Sequence, residues 1–346
     1  MILDKFIGVF SNDMAIDLGT ANTIVSVKGK GIIINEPSVV AVQRDRQGKD
    51  KILAVGQEAK RMLGKTPINI QAVRPMQDGV IADFEMTERM IRYFIEKAHS
   101  RKSFIRPRVI ICIPYGITQV ERKAVEESAL SAGAREVFLV EEPMAAAIGA
   151  GIPVSDPEGH VVVDIGGGTT EIGVTSLGGL VLCKSVKVGG DKIDRSIIEY
   201  VRQNYNLFIG ERTAETVKIE VGAAIKLDPE LKIQIKGKDH SGYLSTIELG
   251  SEGIRIAIKE PLKEIASAIR SVLENMPPDL AGDVVDNGII ITGGGALIRG
   301  LDKYLTEIVK IPVRIADEPL LSVAYGTSQV LDEPGLLKII EDMKNS

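Results

Sequence analysis

Two aspartates stand at the ends of strand-like apolar runs, and each is followed two positions later by a glycine. The first run, Met14 to Asp17, leads into Leu18, Gly19, Thr20, Ala21 and Asn22. The second, Val161 to Asp164, leads into Ile165, Gly166, Gly167, Gly168 and Thr169. A glycine and threonine turn directly after a strand lets backbone N–H groups come close to a phosphate, because no Cβ stands in the way. Asp17 and Asp164 would repel phosphate oxygens, but their carboxylates suit a Mg2+ ion held through its waters. Two such turns can clamp one polyphosphate from both sides. A third glycine run, Gly293 to Gly295, follows the apolar segment Asn287 to Thr292.

Stepping outward, each turn is followed by a second strand, Ile24 to Val27 in one case and Glu171 to Thr175 in the other. The two aspartates are 164 − 17 = 147 positions apart, which fits a duplicated domain rather than a short-period solenoid. Between the repeats, Val109 to Ile113 is an apolar run of the kind a strand covered on both faces shows. A helix is expected from Thr118 to Ala132, opened by a threonine cap, then a strand from Val137 to Val140 and a helix from Pro143 to Gly149 with proline in its first turn. The second half is expected to carry hairpin strands to Val188, helices from Asp191 to Tyr205 and Thr213 to Ala224, and strands around Leu231 to Ile235 and Thr246 to Leu249. A helix from Pro261 to Asn275, stopped by Pro277 and Pro278, then precedes the strand that ends at Thr292. Alternating strands and helices point to an α/β fold with two related domains, each a mostly parallel sheet flanked by helices.

Other chemistries fit poorly. Gly64, Lys65 and Thr66 look like the tail of a Walker A loop, but Ala59 occupies the first glycine position and Glu58 to Leu63 reads as helix where a strand should lead in. Neither glycine triplet completes a dinucleotide fingerprint, because Glu171 and Ile298 fall at the last position. The two cysteines, Cys112 and Cys183, lie in strand-like runs and read as packing thiols; His99, His160 and His240 have no metal-ligand spacing. With 346 residues, 44% hydrophobic, 26% charged and a net charge of −5, the chain suits two globular domains and not a nucleic-acid-gripping protein. No apolar run reaches the roughly 18 to 20 residues of a spanning helix, and no secretory leader is evident at the N-terminus. A cytoplasmic protein is expected.

At helical spacing, Ile2, Leu3, Phe6, Ile7 and Phe10 share one face, with Asp4, Lys5, Gly8 and Ser11 on the other. Such a stripe either packs on a domain or lies in a membrane interface, where so short an anchor needs many copies side by side. Phe104 and Ile105, flanked by Lys102 and Arg106, offer a second apolar element among cations, or a buried strand lead-in.

The three glycine turns, in this order and spacing, resemble the two phosphate loops and the adenosine loop of the actin, heat-shock chaperone and sugar kinase superfamily. Within it, the segments IDLGTANT, NEPSVVA, RPMQDGVIADFE, EEPMAAAIGAG, VVDIGGGTTEIGV, VGGDKID, GERTAE and ITGGGALIRGL resemble the MreB family of bacterial actins, from about Asp13 to Leu331. The resemblance implies an actin-like ATPase fold with nucleotide in the cleft between the domains. It implies a membrane-binding segment at 1–12, a first domain at 13–148 and 331–346 with an insert near 34–79, and a second domain at 149–330 with an insert near 186–250. ATP and Mg2+ are the implied cofactors, Asp17 and Asp164 holding the metal. Gly19, Thr20, Ala21, Asn22, Gly166, Gly167, Gly168 and Thr169 would meet the phosphates. Gly190, Lys218, Glu220, Gly294, Gly295 and Ala296 would border ribose and base, although Lys218 and Glu220 also fit a charged, solvated helix face. Glu142 would orient the attacking water, with Thr169 near the same oxygen and Glu141 structural.

The family further implies slow ATP hydrolysis coupled to polymerisation, antiparallel double filaments, peripheral attachment to the inner face of the cell membrane, and a role in wall elongation and rod shape. Its partners are other copies of the chain, membrane lipid, and the membrane proteins MreC, MreD and RodZ. Rival classes are a small-molecule kinase of the same fold, which generally needs longer insertions, and a chaperone ATPase, whose β-rich C-terminal domain is not expected here. An FtsA-type actin carries its amphipathic helix at the other end; the paralogue Mbl stays open.

Overall fold

The structure, a computed structural model, describes residues 12–44, 50–77, 79–99, 105–333, 335–338 and 340. It divides into two compact units, 1–155 with 321–346 and 156–320. The sequence reading set the second boundary at 330/331, and the difference is the helix Ser322–Asp332, which packs on the helix Glu142–Gly149 of the first unit. Two glycines make that crossing. A Cβ added at Gly149 would lie 2.7 Å from the Gly326 nitrogen and nearer still to the Ser322 carbonyl oxygen, and one at Gly326 would lie 2.8 Å from the Gly149 nitrogen.

The first unit is built on a five-stranded sheet in the order Glu136–Glu141, Arg108–Ile113, Met14–Leu18, Asn22–Val27, Gly31–Pro37. The second unit repeats the order with Val313–Ile315, Ile289–Thr292, His160–Ile165, Thr170–Ser176, Gly179–Val186. In both, the first three strands pair in parallel, and the fourth and fifth each pair antiparallel with the strand before. The sheets are mixed, with four of the five strands in each running the same way and one opposed. The hairpin that carries each aspartate needs no crossover, whereas the neighbours that pair in parallel are reached through helices. The shared order bears out the duplication read from the aspartate spacing.

Alternation along the strands sorts the aspartates away from one helix layer. In the first unit, Met14, Ile16, Leu18, Val109, Ile111 and Ile113 form a core with Met86, Met90 and Phe94 of the helix Phe84–Ala98, so Asp17 falls on the opposite face. In the second, Val161, Val163, Ile165, Ile289 and Ile291 pack with Ile193, Ile197, Ile265 and Ile269, which leaves Asp164 and Thr292 on the other face.

Helix starts follow local chemistry. Gln119–Ser131 opens on a full capping box, Thr118 accepting from the Glu121 N–H while Glu121 accepts from the Thr118 N–H. Ser251–Ala257 and Pro278–Asn287 are among the helices that the sequence pattern does not announce, with Phe84–Ala98, Leu301–Val309 and Ser322–Asp332. Pro278 does not merely end the preceding helix; it opens the next one from its first turn, where the missing N–H costs nothing. Smaller three-stranded antiparallel sheets form at 40–73 and 207–250. Among the described residues no helix is long and apolar enough to cross a membrane.

Candidate nucleotide site

In the second unit the glycine turns meet at the C-terminal end of the strand His160–Ile165. Asp164 is buried and sits beside Thr292 on the neighbouring parallel strand, whose hydroxyl donates to Asp164 Oδ1 at 2.7 Å. Burial pushes the Asp164 carboxyl up to about 6, and the Thr292 hydrogen bond partly offsets this. Its Oδ2 lies beside the Gly166 turn, 3.8 Å from where a Gly166 Cβ would be. The turn closes on itself through the Gly166 N–H donating to the Thr169 carbonyl at 2.9 Å. Gly293 crosses directly over Ile165. Its φ of 78° is a left-handed conformation that favours glycine, and a Cβ there would lie 2.9 Å from the Ile165 nitrogen and closer to its carbonyl oxygen. Gly294, Gly295 and Ala296 follow in a short 3-10 helix, with Gly295 and Ala296 buried.

The helix Gly190–Tyr205 aims its N-terminus at the same turn. The Gly190 N–H donates to the Gly166 carbonyl at 3.0 Å, and the Asp191 N–H to the Gly167 carbonyl at 2.8 Å. Because a trans peptide is planar with C=O and N–H opposed, carbonyls drawn toward the helix turn the next N–H groups, those of Gly167 and Gly168, away from it. The approach requires Gly189, since a Cβ there would lie 2.6 Å from the Gly167 oxygen and 2.7 Å from the Gly166 oxygen. Thr169 is buried beneath the turn, and the adjacent Thr170 hydroxyl donates to the Val188 carbonyl at 2.6 Å.

The first unit presents the same device with a different clamp. The buried Ser38 donates its hydroxyl to the Gly19 carbonyl at 2.6 Å and its N–H to the Ala21 carbonyl at 3.0 Å. With Ser38 Oγ thus donating, Thr23 Oγ1 at 2.9 Å supplies the hydrogen between the two hydroxyls. By the same planarity the Thr20 N–H points away from Ser38. A Cβ at Gly19 would lie 2.7 Å from the Asn22 carbonyl oxygen and 3.7 Å from Asp17 Oδ1, so turn and carboxylate are adjacent. Thr20 is buried, whereas Ala21 and Asn22 are exposed.

Asp17 pairs in register with Cys112, and Cys112 with Val140, so Asp17 and the end of Glu136–Glu141 lie two strands apart at the C-terminal ends of the parallel strands, roughly 10 Å at normal strand spacing. Glu142 opens the helix Glu142–Gly149 at this end and is buried. Glu141 points elsewhere, to an ion pair with Arg122 at 3.0 Å. Cys112 occupies in the first unit the position that Thr292 holds in the second.

The remaining sequence-derived residues divide. Lys218, on the helix Glu211–Val221, donates to Asp194 Oδ2 at 2.9 Å and to the Gly190 carbonyl at 3.2 Å. Glu220 is exposed on the same helix. Ile105 is half-buried; Ile2, Leu3, Phe6, Ile7, Phe10 and Phe104 lie outside the described residues. Sequence reasoning missed Ser38 and Asp194. Ser38 lies inside a segment quoted for its resemblance, and nothing local marks a serine as the holder of a turn nineteen positions away in sequence.

The chain matches the family described as MreB/Mbl protein over residues 11–339. It is 55% identical over 335 residues to the cell shape-determining protein MreB of Escherichia coli (strain K12), covering 96% of each chain. It is 50% identical over 325 residues to the cell shape-determining protein Mbl of Bacillus subtilis (strain 168), covering 94% of this chain and 97% of that one. Among solved structures, MreB5 of Spiroplasma citri bound to AMPPNP superposes with a TM-score of 0.88 at 39% identity, over 95% of this chain and 98% of that chain. A MamK double helical filament superposes with a TM-score of 0.78 at 22% identity, over 93% and 99%, a likeness of fold alone.

Proposed function

The chain belongs to the MreB/Mbl family and has its actin-like fold, and from that premise we propose that it is an ATP-binding bacterial actin that assembles into filaments and serves cell shape. The observation that carries this is the repeated device: in each unit an aspartate ends a strand, and the turn after it has its carbonyls tied to the protein. The N–H groups of Thr20, Gly167 and Gly168 are then the donors a polyphosphate would meet. The AMPPNP in the Spiroplasma citri relative supports ATP as the ligand.

The residues fit magnesium. Mg2+ keeps most of its waters and takes one or two carboxylates together with substrate phosphates. Asp17 and Asp164 each stand beside a phosphate-type turn, and among the described residues no set of three or more His, Cys, Asp or Glu forms a protein-only metal cage. A cation near Asp164 would also favour its charged form, offsetting the cost of burying that carboxylate. When bound, the ion would neutralise charge on the transferring phosphoryl group. The chain's own part in hydrolysis is to orient water through Glu142, with Thr169 near the same oxygen, while Arg122 keeps Glu141 turned aside. Gly190, Gly294, Gly295 and Ala296 are assigned to the nucleoside; Gly190 stands against the Gly166–Gly167 turn and Gly295 against Ile165.

Assembly is head to tail, which leaves free ends for growth, with antiparallel pairing of strands and faster hydrolysis in the polymer than in the monomer. Attachment to the inner membrane face is assigned to the 1–12 stripe and the Phe104–Ile105 element, with MreC, MreD and RodZ as partners in wall elongation. Nucleotide-dependent assembly and lipid attachment are tested by sedimentation with anionic liposomes, with and without Mg·ATP. The full chain should pellet as polymer on lipid with Mg·ATP, Asp164→Asn should need at least about tenfold more nucleotide, and a version starting at Asn12 should polymerise but leave the lipid. Nucleotide-independent pelleting, or lipid binding unchanged by the truncation, would refute the corresponding part.

A further inference from the structure

Lys218 and Asp194 come from different helices and meet almost out of solvent, their side chains 17% and 11% exposed. Lys218 offers three donors. One goes to Asp194 Oδ2 and another to the Gly190 carbonyl, four positions before Asp194 and at the first turn of the same helix. The other carboxylate oxygen, Asp194 Oδ1, is buried without a hydrogen-bond partner. A half-satisfied buried ion pair is a poor way to gain stability; its better-attested use is to fix one arrangement among several.

What it fixes is the N-terminus of Gly190–Tyr205. That terminus holds the carbonyls of Gly166 and Gly167, and Lys218 grips the carbonyl of the residue whose N–H makes the first of those bonds. The fit is close on every side. A Cβ at Gly190 would stand 3.1 Å from the Lys218 ammonium and 3.7 Å from the Gly167 Cα.

Resting on the nucleotide reading above, we propose that Asp194 and Lys218 are positioning residues that act together through the helix N-terminus to aim the Gly167 and Gly168 N–H groups at the phosphates. Lys218 therefore affects a bound nucleotide through the turn and not by touching its ribose. This departs from the ribose-bordering role that resemblance assigns to Lys218, and it gives Asp194 a role of its own.

Calorimetric titration of the full chain with Mg·ATP and, separately, with adenosine distinguishes the two. A positioning strut predicts that Asp194→Asn and Lys218→Met each weaken Mg·ATP about tenfold, the scale for loss of a supporting contact behind a binding group. The double variant should be no weaker than the worse single one, and adenosine affinity should stay within about twofold. Asp194→Asn is the decisive variant: it removes the anchor yet keeps the Lys218 charge and nearly the same shape. A purely electrostatic pull by Lys218 on phosphate would make Asp194→Asn bind Mg·ATP as tightly as the parent, or more so, and would overturn the proposal. So would Lys218→Met weakening adenosine and Mg·ATP by equal factors, the mark of a direct sugar contact. Thermal melts of each unliganded variant identify any that fail to fold; should Lys218→Met be one, Asp194→Asn against the parent still decides. If the parent chain itself binds no Mg·ATP, the nucleotide reading falls, and that result is distinct from either outcome above.

Discussion

Glu142→Gln is expected to slow phosphate release from saturating Mg·ATP by at least about 100-fold, the lower end of what a positioned acid–base group contributes, while leaving nucleotide affinity within a few-fold. The two adjacent glutamates are not equivalent. Glu141 is half-buried in an ion pair with Arg122 and ends a strand; Glu142 is buried and opens a helix at the same end of the sheet as Asp17. Phosphoryl transfer to water asks the protein for an oriented nucleophile and charge neutralisation, and a neutral amide of the same shape supplies neither the basicity nor the charge. Single-turnover phosphate release, with affinity measured separately, separates chemistry from binding. An unchanged rate in Glu142→Gln would remove Glu142 from the mechanism.

Gly326→Ala is expected to destabilise the first unit by about 3 kcal/mol, at the upper end of overpacking costs. Alanine is the better helix former by about 1 kcal/mol, so the sign rests on space alone. A Cβ at Gly326 would press on the Ala145 carbonyl and lie 2.8 Å from the Gly149 nitrogen, both backbone atoms of a buried helix that cannot rotate aside. Gly282→Ala is the control, since it also lies in a helix and a Cβ there meets nothing within 4 Å; it should stabilise by roughly 0.5–1 kcal/mol. Thermal melting of both variants reads the contrast. Two compact units do not guarantee a two-state transition, so the comparison is of the first unfolding step. A Gly326→Ala protein as stable as the parent would mean the two helices have room to part.

Much of this was legible in the sequence because it is local. The aspartate and glycine turns announce themselves by order and spacing, and the repeat at 147 positions foretells that both sheets share one strand order. Thr118 and Glu121 reveal a helix start through their own side chains. What was missed depends on partners distant in the chain. The Ser38 grip on Gly19 and the Lys218 grip on Gly190 join segments nineteen and twenty-eight positions apart, and neither residue type is marked locally for the task. Lys218 was legible as a cation near the site but not as one already engaged by Asp194. Pro277 and Pro278 illustrate ambiguity of a different kind, since one proline ends a helix and the next begins another. The boundary at Leu320/Leu321 depended on two glycines, 326 − 149 = 177 positions apart, whose shared lack of a side chain shows only once the helices cross.

The central claim is that the turns after Asp17 and Asp164 are phosphate-binding turns that act through backbone N–H groups. A crystal structure of the full chain with Mg2+ and a non-hydrolysable ATP analogue tests it directly. Phosphate oxygens should lie within about 2.7–3.2 Å of the nitrogens of Thr20, Gly167 and Gly168, with the metal's water shell against Asp17 and Asp164. Phosphates remote from these turns, or a metal remote from both aspartates, would contradict it.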